Sequence, residues 1–559
     1  MSDLSRYKAR SKNMHFFEYG LIVAGGYDFD NFDKPVVEIV NTWSEWNPGH
    51  QHLRQVAEAV KRGVWMAGGF PLEYNTLSLC PGQSLANRNM LALETQAVLL
   101  GEPPSYAERA DAVVFICSCD KEIPALLMAA ARINLPSIFV LGGAMLPGHW
   151  MGREVDSGTD AQRGETELRA GNITQEQYRD LVDVCMWPGC GACGPLGTAN
   201  TMQCLTEALG MALPGSATTP AVMAELYRNT ERAGRQVMNL LVQDIRPRHI
   251  MTPEALDNAI KVLMAMGGST NAVIHLLALA HHLNLPLPLE RFDALSRETP
   301  YLVNVKPSGE YPVVRIHESG GVQQVLKNLE PLLDTSAKTV TGQTLKENLA
   351  RQMVRDDDRI HDLDHCLNPE GGLAVLRGNL APRGAILKHV GSQDRRLLKH
   401  KGPALVFESS EHAHEVLARE DLDVTEDTVL VLRNEGPKAS GMPERGLIPI
   451  PHPLARKGIK DVMRINDCRM SGTEYGTIVL HIAPEAYVGG PLAAVQNGDL
   501  VELDLDQREL NLLVPDEEIR QRVARWVPPP PQYNYQQGPF ALWYQMCEQA
   551  DKGCIYPWM

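Results

Sequence analysis

The stretch Ala112-Val113-Val114-Phe115-Ile116-Cys117-Ser118-Cys119-Asp120-Lys121 decides the fold. Ala112 to Ile116 is an unbroken apolar run of strand length. Pro124 suits a first helical turn, and Ala125 to Ile133 carries helix formers. Ser137-Ile138-Phe139-Val140-Leu141 is a second buried-strand run, stopped by Gly142-Gly143. Strand, loop, helix, strand is one unit of a parallel α/β sheet. Such sheets bind ligands at the carboxyl ends of their strands. Cys119, Asp120 and Lys121 therefore fall together at the expected binding edge. A thiolate there suits iron or zinc, and a carboxylate suits magnesium. A buried cysteine beside a helix-capping Asp120 fits the same three residues.

Working outward, Val36 to Thr42 reads as another strand. It runs into the turn Asn47-Pro48-Gly49-His50 and a helix from about His52 to Arg62. Gly68-Gly69-Phe70-Pro71 closes that unit, and Leu77-Ser78-Leu79-Cys80-Pro81-Gly82 is the next expected strand and loop. Residues 1–35 read as an irregular aromatic arm. Residues 150–180 read as a polar excursion over the surface. Cys190-Gly191-Ala192-Cys193 opens a helix with the stripe Met202, Leu205, Leu209 and Leu213, which Pro214-Gly215 should stop. Met266-Gly267-Gly268-Ser269-Thr270-Asn271 opens another helix, Ala272 to His282. Such junctions suit anionic groups.

After about residue 370 the texture becomes β-rich, with short runs at Ala404 to Phe407, Thr428 to Leu432 and Thr477 to Ile482. Asp499 to Leu505 and Glu509 to Val514 read as a hairpin. The expected organisation is an N-terminal α/β/α domain over residues 1–370, a C-terminal β-barrel-like domain over 371–527, and a tail, 528–559, that docks back.

Composition narrows the function. A 44% hydrophobic and 22% charged chain is an ordinary globular protein. A net charge of −15 without a Lys/Arg run argues against nucleic-acid or anionic-membrane partners. Met1 to Arg10 does not read as a signal peptide, and no apolar stretch approaches membrane-spanning length. The eleven cysteines then read as reduced thiols, metal ligands or core residues of a cytoplasmic protein. Cys117, Cys119, Cys190 and Cys193 leave a four-thiolate zinc site open as a minor alternative.

Five stretches in order carry a family resemblance: Cys119-Asp120-Lys121 with Pro124; Cys193 through Met202; Met266 to Asn271; Gly436-Pro437-Lys438 with Gly441-Met442-Pro443-Glu444; and Arg469-Met470-Ser471-Gly472-Thr473. With them the chain resembles the IlvD/Edd dehydratase family, most of all its sugar-acid (aldonate, L-arabinonate-like) branch. The resemblance implies a cytoplasmic homodimer or homotetramer acting on a small sugar acid. It implies an iron–sulfur cluster (2Fe-2S or 4Fe-4S) on cysteine thiolates, here Cys119 and Cys193. It implies Mg2+ held by Asp120, Lys121 and Glu444, and Ser471 as base beside Lys121. The product would be a 2-keto-3-deoxy acid. The chain departs from the pattern twice. Gly49 stands where the family has its first cluster cysteine, and the loop at Cys80 lacks the family's acidic metal ligand. Cys80 is the expected replacement thiolate, with Cys190 and His50 as alternatives. A non-catalytic relative without a stable cluster, a dihydroxy-acid dehydratase, and a magnesium-only or zinc enzyme are the other readings.

Overall fold

The computed structural model describes Gly20 and residues 23–80, 84–100, 110–353, 357–530 and 537–559. Most of the expected N-terminal arm, together with Pro81, Gly82 and Pro531, lies outside the described residues.

Four strands, β1 (Val36–Asn41), β2 (Phe70–Asn75), β3 (Ala112–Cys117) and β4 (Ser137–Leu141), form a wholly parallel sheet in the order β2-β1-β3-β4. Every β3 and β4 side chain is buried, as expected of strands covered by helices on both faces. The expected strand at Leu77–Leu79 is not one. The strand of that unit is β2, which starts at Phe70, where the sequence reading placed a terminator. The Gly68-Gly69 pair ends only the preceding helix, Leu53–Met66. Aromatic and apolar residues at 70–74 favour pairing with β1, and Leu77–Cys80 follows as irregular chain.

The helix opened by the Cys190–Cys193 loop runs from Thr198 to Ala208, not to Pro214-Gly215. It stops early because Gly210 takes a left-handed conformation (φ +82°), its Cα packed beside Lys338 and Thr339. Leu213 therefore lies beyond the helix. The expected surface excursion is also corrected. A small hairpin, β5 (Gly148–Trp150) and β6 (Arg153–Val155), leads to the helices Thr159–Ala170 and Gln175–Cys185. This segment reaches the second half of the chain. Thr159 Oγ1 donates to the Thr473 carbonyl (2.6 Å), and Gln162 Nε2 donates to that of Tyr475 (2.9 Å).

The second sheet has eight strands: β7 (Ala374–Leu376), β8 (Gly384–Leu387), β9 (Lys399–Phe407), β10 (Val429–Leu432), β11 (Arg464–Asn466), β12 (Ile478–Ala483), β13 (Leu500–Asp504) and β14 (Glu509–Leu512). Their order is β14-β13-β9-β10-β11-β12-β8-β7. Arg377, just past β7, bridges Glu509 at the start of β14, which nearly closes the sheet into a barrel. The fold is thus the expected one: an α/β body with a parallel sheet and a barrel-like β body. In the tail, Trp543 is buried and donates to the Pro437 carbonyl (2.8 Å). Arg88 Nη2 donates to the carbonyls of Gly553 and Cys554 (2.8 and 2.9 Å).

The helix Leu53–Met66 crosses the helix Ala224–Gln243 at two glycines. A Cβ on Gly63 would lie 2.1 Å from the Glu231 carbonyl oxygen, and one on Gly234 would lie 2.3 Å from that of Val60. Neither backbone can yield without separating the helices. Gly63→Ala is expected to cost about 1–3 kcal/mol by overpacking, read as a lower urea midpoint, although alanine is the better helix former.

Candidate active site

The site forms where the carboxyl ends of β1 and β3 meet loops from the barrel. β3 delivers Cys117, and the chain then turns through Ser118-Cys119-Asp120-Lys121 into the helix Glu122–Ile133. Cys119, Asp120 and Lys121 are all buried. Lys121 Nζ donates to Asp120 Oδ2 at 2.8 Å. Burial alone would lower the pKa of Lys121, but Asp120 and Glu444 hold it above its ordinary value. Burial would likewise raise Asp120, but Lys121 and then Arg469 hold it below the usual carboxylate range.

Glu444 arrives from the barrel side and pairs with Arg469 (Nη1 to Oε1 3.2 Å). Burial, and then the charge of Asp120, raise its pKa. A hydrogen bond joins its carboxyl group to that of Asp120. Two carboxyl groups from distant parts of the chain thus face each other beside a lysine. Asn271 fixes this meeting. Its Nδ2 donates to Glu444 Oε1 (2.8 Å), with the Met470 carbonyl and Thr198 Oγ1 each 3.0 Å away.

Ser471 sits on the loop that Asn271 grips, and is half-buried. Its Oγ lies 2.8 Å from Thr473 Oγ1 and receives the Thr473 N–H at 3.4 Å. The loop comes this close because its neighbours are small. A Cβ on Gly197 would lie 2.6 Å from Thr473 Cγ2, and one on Gly158 (φ +74°) would lie 1.9 Å from Thr473 Oγ1. Glu474, next in the loop, has its pKa pushed up to about 8 by burial.

Three thiols cluster beside Asp120. Cys119 hydrogen-bonds with Cys80, and that contact, with burial, raises its pKa. Burial, then Cys80, push Cys193 up to about 11. Cys80 and Cys119 pack together with Ala192 and Ala199. The Cys193 backbone is held by Asn200, whose Nδ2 donates to its carbonyl at 2.6 Å. Cys190 is not brought to this group; it lies towards Tyr227. Cys117 belongs to the main core. The four-thiolate alternative is therefore not assembled.

Gly49 closes the turn after β1, where the Asn47 side chain caps the Pro48–His50 turn. Its missing Cβ would point at the Gly191 carbonyl oxygen, 3.1 Å away. The next residue, His50, is buried against Glu122, with Nε2 3.6 Å from Oε2. Burial lowers the His50 pKa to about 4, and raises that of Glu122.

Sequence reasoning missed Glu122 and the ion cluster of Asp156, Asp160 and Lys306. Glu122 begins a helix, where an acidic residue reads as an ordinary favourable end charge. Lys306 is 146 and 150 residues away in sequence from its partners, so no local pattern announces it. The spacing of Asp156 and Asp160 at i and i+4 was the available signal.

Comparisons with known proteins agree along the chain. The dihydroxy-acid/6-phosphogluconate dehydratase N-terminal model matches residues 34–348, and the corresponding C-terminal model matches 358–554. An L-arabinonate dehydratase of Rhizobium leguminosarum bv. trifolii is 41% identical over 520 residues, covering 92% of this chain and 88% of the relative. A 6-deoxy-6-sulfo-D-gluconate dehydratase of Pseudomonas putida is 41% identical over 534 residues, covering 94% and 90%. A dihydroxy-acid dehydratase of Moorella thermoacetica is 41% identical over 523 residues, covering 91% and 93%.

The ion cluster generates a stability prediction. Lys306 Nζ lies 2.7 Å from Asp156 Oδ2 and 2.9 Å from Asp160 Oδ2, and all three residues are buried. Lys306→Met removes the cation shared by two buried carboxylates, leaving Asp160 only Arg163, 3.4 Å away. Removing one partner of such a set costs about 3–5 kcal/mol, which denaturant unfolding followed by circular dichroism should register.

Proposed function

The chain belongs to the dihydroxy-acid/6-phosphogluconate dehydratase family, and from that premise we propose that it is a hydro-lyase converting a sugar acid (an aldonate) to a 2-keto-3-deoxy acid. The observation that carries this reading is the meeting of the Asp120 and Glu444 carboxyl groups beside Lys121. Two hard oxygen donors that meet from distant parts of the chain are a donor set that fits Mg2+. Asp120 and Glu444 would hold it, and Lys121, an ammonium ion-paired with Asp120, would join them as a ligand only once carbamylated. Cys80, Cys119 and Cys193 would hold an iron–sulfur cluster, because three thiols converge there although Gly49 offers none. When bound, these groups would polarise the substrate carboxylate and the departing hydroxyl as Lewis acids.

The chain's own residues supply the rest. Ser471 would take the C2 proton. A serine hydroxyl is a weak base unless its alkoxide is stabilised, and the Thr473 N–H and hydroxyl lie against Oγ where they can do this. Lys121 places a positive charge beside the carboxylates. Asn271 orients Glu444 and the Ser471 loop together. The C2 proton and the C3 hydroxyl leave as water, and the resulting enol relaxes to the ketone.

Relatives at equal identity act on sugar acids and on dihydroxy acids, so identity alone does not select the substrate. The polar segment 150–180, joined to the Ser471 loop through Thr159, favours a hydroxyl-rich substrate. All eleven cysteines are free, in keeping with the proposed cytoplasmic location, and we propose a homo-oligomer.

The test is turnover of pentonates and hexonates with Mg2+ by anaerobically purified protein, followed by a carbonyl assay. Aldonates should give a 2-keto-3-deoxy acid. Turnover of a branched dihydroxy acid alone would assign the other substrate class. Ser471→Ala should lower kcat by about 10²–10⁴-fold, the usual worth of a proton-transfer group, with metal content unchanged.

A further inference from the structure

Beside the three thiols lies a donor group of which the proposed function uses only Cys119. The ligand atoms of His50, Cys119 and Glu122 all lie within 4.8 Å of one another. His50 comes from the turn after β1; Cys119 and Glu122 come from the loop and helix start after β3. His50 and Glu122 have no exposed surface.

Hydrogen bonding orients both donors toward the same point. His50 Nδ1 lies 2.7 Å from the Thr42 carbonyl oxygen. Ser78 Oγ lies 2.8 Å from the same nitrogen. A carbonyl can only accept, so Nδ1 carries the proton, facing both oxygens, and Nε2 presents a lone pair. Glu122 Oε1 accepts the Leu79 N–H, which turns Oε2 toward His50. The separation of Nε2 and Oε2, 3.6 Å, is too long for a hydrogen bond. Among the described residues neither atom has any other hydrogen-bond partner. Two buried polar atoms face each other without a hydrogen bond, and a thiol stands beside both.

A cation at that point would satisfy all three. An imidazole nitrogen fixed by a backbone carbonyl and a carboxylate fixed by a backbone N–H are how metal ligands are commonly held. A nitrogen, oxygen and sulfur donor set suits a divalent ion of borderline softness, iron or zinc. We propose that the metal atom bound by Cys119 is also bound by His50 Nε2 and Glu122 Oε2. In this turn residue 50, not residue 49, then supplies the metal ligand. The inference rests on metal binding at Cys119, as in the reading above, and not on the substrate. The atom can be a lone ion or one iron of a cluster, and the test separates these.

The full chain, prepared anaerobically, is reconstituted with ferrous iron and sulfide. Iron and sulfide are then counted, and the reduced centre is examined by pulsed EPR for nitrogen hyperfine coupling. Wild-type protein should show a coupling that changes to the ¹⁵N pattern when histidine is ¹⁵N-labelled and that His50→Ala removes. In parallel, Co2+ alone is titrated into apoprotein. A thiolate-to-cobalt charge-transfer band should appear, and His50→Ala and Glu122→Gln should weaken binding at least about tenfold, because even the outer partners of metal ligands are worth about 10–100-fold. Sulfide-containing protein with nitrogen coupling identifies the atom as a cluster iron. Cobalt binding with the same dependence on His50, and no sulfide incorporation, identifies a lone ion. Full metal occupancy without histidine coupling, unchanged by His50→Ala, overturns the inference and leaves metal binding at Cys119 standing. No metal in any arm overturns both. Should His50→Ala fail to fold, the isotope label on wild-type protein still decides.

Discussion

One carboxamide holds the two halves of the chain in register. Asn271 begins a helix of the first half, and its Nδ2 reaches Glu444 and the Met470 carbonyl of the second. The side chains it gathers are charged and largely out of water: Asp120, Lys121, Glu444 and Arg469. Buried charges are tolerated only when paired, and breaking one pair costs far more than making it contributes. Lys121 pairs with Asp120 and Arg469 with Glu444 inside each half, and the two carboxyl groups reach across. Glu444 needs Asn271, and Asp120 shares its hydrogen bond with Glu444. The site and the seam between the halves are therefore the same set of contacts. This also explains why the reacting groups come from such distant stretches.

A second contact works on the other side of the Ser471 loop. Thr159 and Gln162 bond the backbone at Thr473 and Tyr475, while Lys306 ties down Asp156 and Asp160 beneath them. Gly158 and Gly197 leave room for Thr473, which in turn lies against Ser471 Oγ. The serine is thus located by backbone bonds from one side and by Asn271 from the other. Gly472 completes the fit, since a Cβ there would lie 2.6 Å from the Thr198 nitrogen. The proton transfer proposed for Ser471 would need placement to a fraction of an ångström, and a loop pinned at both ends would provide it without a rigid strand.

Much of this was legible in the sequence because it is local. The apolar runs of β3 and β4, the helix between them and the hairpin of β13 and β14 follow from periodicity and turn residues within short windows. Cys119, Asp120 and Lys121 stood out at the carboxyl end of a strand, whereas Glu444 and Ser471 sit in loops that read as ordinary turns and were singled out by the family resemblance. What escaped was what tertiary contact decides. Phe70 looked like a terminator after two glycines, and pairing with β1 made it the start of a strand. The segment 150–180 is polar and largely exposed or half-buried, and no local pattern announces that Thr159 and Gln162 bond the distant backbone at Thr473 and Tyr475. Glu122 was hidden by the ordinary helix-end explanation for an acidic residue.

The departures at Gly49 and Cys80 are one rearrangement along the sheet edge. Strand order places β1 between β2 and β3, so the turn carrying Gly49, the chain carrying Cys80 and the loop carrying Cys119 leave the same edge side by side. A donor lost from the central turn can therefore be replaced from the chain after β2 with little backbone change. Cys80, which packs against Cys119, is the thiol proposed for that place. An imidazole nitrogen and a carboxylate oxygen, His50 Nε2 and Glu122 Oε2, lie beside Cys119 without a hydrogen-bond partner among the described residues. Desolvated donors of this kind destabilise a fold unless something binds them. Their retention beside a thiol that is itself buried is most simply understood if the free energy of burying them is recovered when a metal binds. The edge of a parallel sheet allows such changes because its strands fix positions, while the loops that follow them choose the ligands.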